Sequence, residues 1–141
     1  MSGNKIVLDT GPLVAFLNKN DKYHSWAVSE FAVIKPPLFT CESVLSEACF
    51  LLRDFPDGVA NIITLLEREL IRIYFHLADE IISVKNLMIK YANVPMSLSD
   101  ACLVRMSEQI SDSKVFTLDS DFRIYRKNKR QVIPLIIPED L

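Results

Sequence analysis

The chain has 141 residues, half of them apolar and 24% charged, with a formal net charge of −2. That length and balance describe one ordinary globular domain over residues 1–141, and exclude a chain that is basic throughout and binds polyanions by bulk charge. Its three cysteines, Cys41, Cys49 and Cys102, form no C-x-x-C pair, and His24 and His76 are the two histidines. A disulfide framework and a structural zinc site are therefore excluded, and buried thiols in a reducing compartment are expected. No apolar run approaches the roughly 20 residues of a membrane span, so the expected location is the cytoplasm, with no membrane contact.

In chain order, Ile6-Val7-Leu8 reads as a short strand buried on both faces. Gly11 and Pro12 then turn the chain into an apolar helix over Leu13–Leu17, with Pro12 suited to the first helical position. Asp9 is left at the carboxyl end of a buried strand, where open α/β sheets bind their ligands. Tyr23–Ile34 has helical spacing, with Trp26 expected to pack rather than to stack on a ligand. Leu38–Thr40 reads as a second strand, and Thr40 as the cap of a helix from Cys41 to about Arg53.

Two acids border the apolar stripe of that helix. Glu42 in its first turn is accounted for by the helix dipole, whereas Glu47 lies deeper and is the better functional candidate. Val59–Leu70 marks another helix, Ile71–Phe75 an alternating strand, and Ala78–Ala92 a long helix ending before Pro95. Helix following strand throughout points to a three-layer α/β/α domain around a mainly parallel sheet.

Ser97 and Asp100 match a capping box. Yet the helix they open carries apolar residues around most of its circumference, and a carboxylate in such surroundings needs a partner or a metal. Val115–Leu118 repeats the opening pattern, a strand followed by acids, with Asp119 the analogue of Asp9 and Asp121 a second candidate. Thr117 projects to the same side as Asp119 and is placed to orient it. Arg123, Arg126, Lys127, Lys129 and Arg130 form a basic cluster suited to phosphate. Val132–Ile137 closes the sheet, with Pro134 placing it at an edge.

Converging carboxylates repel by roughly 4 kcal/mol per pair at 4 Å and an effective dielectric of 20, so several together call for a cation. All-oxygen ligation favours Mg²⁺ or Mn²⁺, and with it metal-assisted phosphodiester hydrolysis. At this point the chain resembles the PIN-domain family, and within it the VapC-type toxin ribonucleases. The resemblance rests on Leu8-Asp9-Thr10-Gly11-Pro12-Leu13-Val14-Ala15, Glu47, Ser99-Asp100-Ala101 and Thr117-Leu-Asp119-Ser-Asp121-Phe122, in that order and spacing.

The resemblance implies a PIN-like parallel sheet flanked by helices, a Mg²⁺ or Mn²⁺ ion in an acidic pocket, and endonucleolytic cleavage of RNA. It makes Asp9 and Asp100 principal ligands, Asp119 a third acid, and Glu47 a ligand or water-orienting residue. Thr10, Ser99, Thr117 and Asp121 would then support them. It also implies a cognate antitoxin protein that occludes the pocket, and a homodimer. Asn93 stands close to where some members carry a further acid. A haloacid-dehalogenase-like phosphatase would need an Asp where Gly11 stands. The remaining alternative is a non-catalytic PIN-type module that binds nucleic acid or a partner.

Overall fold

The computed structural model describes residues 4–141. Five parallel strands, β1 (Lys5–Leu8), β2 (Leu38–Thr40), β3 (Ile71–Ile73), β4 (Ser113–Phe116) and β7 (Leu135–Ile136), make a sheet in the order β3-β2-β1-β4-β7. A separate antiparallel hairpin pairs β5 (Arg126–Lys127) with β6 (Gln131–Val132). Among the described residues six α-helices intervene: α1 (Thr10–Leu17), α2 (His24–Val33), α3 (Glu42–Leu51), α4 (Gly58–Glu67), α5 (Ile81–Lys90) and α6 (Leu98–Gln109).

The period-two alternation of β1 divides the core. Ile6 and Leu8 join Leu13, Leu45, Ala48, Ile62 and Phe116 on the face covered by α1 to α4. Val7 joins Ala101, Leu103, Val104, Val115, Phe122 and Tyr125 on the face covered by α5 and α6. Helices on both faces make the three-layer α/β/α arrangement expected from the sequence. Trp26 lies edge-on to Phe116, with ring centroids 5.4 Å apart, and His24 donates from Nδ1 to the Ala15 carbonyl at 2.8 Å, so neither residue faces a ligand.

Chain direction places the functional face. The path steps from β1 outward to β2 and β3 and then returns to β4 on the other side of β1. The carboxyl ends of β1 and β4 therefore adjoin at a topological switch point, the general ligand position of open α/β sheets. Leu8 pairs with Phe116, so Asp9 and Thr117 are the next residues out on adjacent strands.

Several local expectations are corrected. Helix α1 begins at Thr10, with Asp9 as its cap and Pro12 in its first turn. Among the described residues no glycine has positive φ. The small residue at Gly11 instead permits close approach, because a Cβ there would lie 3.0 Å from that of Leu118. Thr40 does not cap α3, a position held by Cys41; its hydroxyl donates to the Leu8 carbonyl at 2.8 Å, tying β2 to the end of β1. The helix expected over Ala78–Ala92 is interrupted after a 3₁₀ turn at Leu77–Asp79, and the closing segment divides into β6 and β7 on either side of Pro134.

Thr40 is fully buried. Thr40→Val should destabilise the protein by about 1–2 kcal/mol in urea denaturation, because it removes the hydroxyl bond to the Leu8 carbonyl, while Thr40→Ser should recover most of the loss. Equal losses in both variants would assign the effect to packing.

Candidate active site at the carboxyl end of the sheet

An open cleft of about 440 Å³ at the switch point is lined by Asp9, Glu47, Asp100, Asp119 and Asp121 and, among the described residues, by no basic one. Thr10, Gly11, Leu51, Pro95, Ser97 and Leu118 complete its walls. The acids arrive from separate elements: Asp9 from the end of β1, Glu47 from α3, Asp100 from α6, and Asp119 and Asp121 from the segment after β4.

Asp9 is the most constrained of them. Its carboxylate is buried, accepting from the Thr10 amide at 2.7 Å on Oδ1 and from the Thr117 hydroxyl at 2.6 Å on Oδ2. The same Thr117 oxygen accepts from the Asp119 amide at 2.9 Å, and Asp119 Oδ1 accepts from the Asp121 amide at 2.9 Å. One buried hydroxyl thus fixes Asp9 and the backbone that carries Asp119. Thr10 extends the chain of contacts, donating through Oγ1 to Glu47 at 2.7 Å. Glu47 itself is exposed at the cleft wall, whereas Glu42 does not line it.

Asp100 serves both purposes that the sequence left open. It completes the capping box, receiving the Ser97 amide at 3.4 Å while its own amide donates to Ser97 Oγ at 3.0 Å. It also faces the cleft and accepts from the Tyr125 hydroxyl at 2.9 Å. Tyr125 is a residue that sequence reasoning missed. In sequence it falls within the basic run Arg123–Arg130, and only the fold buries its ring and brings its hydroxyl to Asp100. Ser99 turns away, donating to Ser43 Oγ at 2.9 Å across the α3–α6 contact.

None of the five residues of the basic cluster lines the cleft. Arg123 donates through Nε to the Leu141 carbonyl. Arg126 Nη1 is held by the carbonyls of Arg123, Ile124 and Tyr125. The hairpin directs Arg126, Lys129 and Arg130 toward another cavity.

Burial pushes the Asp9 carboxyl up to about 7, against the bonds from Thr117 and Thr10 and with help from the charges of Asp100 and Asp119. Asp100 is raised chiefly by burial, which Tyr125 and Ser97 oppose. Asp121 is raised by burial and then by Asp119. Burial, followed by the Asp100 charge, holds the Tyr125 phenol above its ordinary value, so it remains a donor at neutral pH. Among the described residues no three Asp, Glu, His or Cys side chains are gathered closely enough to enclose a cation as they stand. The donors are nonetheless all oxygens around a buried anion without a basic neighbour, a set that fits a hard divalent cation. Asp9 and Asp100 would hold it, with Asp119 and Glu47 on the open side.

Fold and site together define an α/β protein with an acid-lined cleft at the switch point of a parallel sheet. A PIN domain family model matches residues 6–128, and the chain belongs to that family. Its fold is that of VapC20 from Mycobacterium tuberculosis, a sarcin-ricin loop cleaving toxin, with a TM-score of 0.74 at 21% identity over 92% of this chain and 100% of that one. A sequence search of curated proteins returns no match.

The raised Asp9 carboxyl makes metal-free stability depend on pH. The folded state binds this proton more tightly than the unfolded chain, so the stabilisation is complete below about pH 4 and is lost as pH rises through 7. In urea denaturation with chelator, wild type should lose about 4 kcal/mol relative to Asp9→Asn between pH 4 and 8. A difference that stays flat with pH would show that Asp9 is solvated.

Proposed function

We propose that the protein is a Mg²⁺- or Mn²⁺-dependent endoribonuclease acting in the cytoplasm as a single domain over residues 1–141, and the toxin of a toxin–antitoxin pair. The observation that carries this reading is the convergence of five acids on one cleft without a basic residue, with Asp9 buried among them. PIN family membership and likeness in fold to an RNA-cleaving toxin support it.

Bound there, a divalent ion would lower the pKa of a water and offset charge on the cleaved phosphodiester. The chain's own residues do the rest. Asp9 and Asp100 would hold the ion, their carboxylates aimed by the hydroxyls of Thr117 and Tyr125. Glu47, held at one oxygen by Thr10, has the other free to orient the attacking water and take its proton. Asp119 faces the same cleft and adds to the negative charge that a cation would offset there. An antitoxin would silence such a site by placing a basic side chain among these acids. A homodimer is part of the same proposal.

Purified protein titrated with Mg²⁺ or Mn²⁺ should cleave a mixture of structured RNAs, and Asp9→Asn and Asp100→Asn should abolish cleavage while remaining folded. Metal and RNA binding without cleavage would instead assign a binding module. Tyr125→Phe should weaken Mn²⁺ binding about 10- to 100-fold by calorimetry, since it leaves the Asp100 carboxylate unaimed. Unchanged affinity would remove Asp100 from the ligand set.

A further inference from the structure

A cleft with five carboxylates repels RNA until metal is bound, so the attraction that gathers a polyanion must come from elsewhere on the surface. A concentration of positive charge lines a second cavity, of about 600 Å³, between α5, α6 and the β5–β6 hairpin. Lys90, Arg105, Arg126, Lys129 and Arg130 line it, with Glu108 its one acid. Arg105 is already neutralised by Glu80 at 2.7 Å and Glu108 at 3.2 Å. Among the described residues Lys90, Arg126, Lys129 and Arg130 form no ion pair. Four cations without an ion-pair partner thus line one concavity in a chain whose net charge is −2.

The groove is braced rather than loosely solvated. Asn128 and Lys129 both have positive φ, fixing a tight hairpin turn. Lys90 Nζ donates to the Lys129 carbonyl at 2.9 Å, the Asn128 amide to Glu108 Oε2 at 2.7 Å, and the Arg126 amide to the Tyr91 hydroxyl at 2.9 Å. These bonds tie the hairpin to both helices and leave the Lys129 and Arg130 side chains facing the cavity. The groove and the acid cleft share no lining residue. The buried Tyr125 connects their walls through the protein, its hydroxyl on Asp100 of the cleft and its chain neighbour Arg126 in the groove.

We infer that this groove is a second RNA-backbone site, holding phosphates that flank the cleaved bond while the acid cleft receives the bond itself. An occupant of both sites must be an extended polyanion, so a mononucleotide does not satisfy the arrangement. The inference rests on the nuclease reading and adds how the substrate is gathered. It places Lys90 in the interface and leaves Arg123 out of it.

The test is binding of a fluorescent RNA hairpin in the uncut Asp9→Asn background with chelator present, across about 0.05 to 0.3 M salt. Lys129→Gln/Arg130→Gln should reduce the slope of log affinity against log salt by about 1.4 to 1.8, and affinity about tenfold near 0.15 M. A control pair removing equal charge from a loop outside the groove, Lys19→Gln/Lys22→Gln, should leave both unchanged. Equal effects in the two pairs, or no effect of the groove pair with its thermal midpoint retained, overturns the inference. Metal-dependent cleavage by wild type, measured alongside, separates the two readings. Cutting with undiminished RNA binding by the groove variant defeats this inference alone, whereas groove-dependent binding without cutting defeats the nuclease reading alone.

Discussion

The structure depends on a carboxylate buried where two parallel strands end together. Pairing Leu8 with Phe116 sets Asp9 beside Thr117, and the Thr117 hydroxyl is bound to that carboxylate from a fully buried position. Removing a carboxylate from water is costly, and neutral hydrogen bonds offset only part of the cost. The folded chain accommodates Asp9 by shifting its protonation toward neutral pH, which makes the residue an acceptor for positive charge supplied from outside. The other acids of the cleft add to that demand.

Around this point each supporting contact serves fold and site together. Thr40 fastens β2 to the last carbonyl of β1, just before Asp9. Gly11 lets the first turn of α1 lie against Leu118, bringing the segments that carry Asp9 and Asp119 into contact. Asp100 caps α6 and faces the cleft with the same carboxylate. Charge is divided as well: the acids gather at the switch point, while cations gather in a groove that shares no lining residue with the cleft. That division keeps basic side chains from neutralising the acids directly.

Much of this was legible in the chain. Short β-branched runs followed by acids located β1 and β4, and the alternation of helix with strand implied the parallel sheet. The resemblance to PIN domains rested on Asp9, Glu47, Asp100 and Asp119, and the fold brings all four to one cleft. What escaped the sequence were contacts between distant segments. Thr40 looks like a cap until the β1–β2 register turns its hydroxyl to Leu8. Tyr125 lies 25 residues beyond Asp100, so no local pattern joins them. The basic run seemed to lie beside Asp119 because it follows it in sequence, but the 3₁₀ turn at Ser120–Arg123 and the hairpin carry it to another face.

The central claim is that the carboxylates of Asp9 and Asp100 share a hard divalent cation. Crystals of the protein soaked in Mn²⁺ and measured for anomalous scattering test it most directly. The account predicts a peak about 2.1 to 2.2 Å from oxygens of both Asp9 and Asp100, with Asp119 or Glu47 near its open side. A fully soaked crystal with no peak in the cleft, or with its peak elsewhere while Asp9 keeps only its bonds to Thr10 and Thr117, would contradict it.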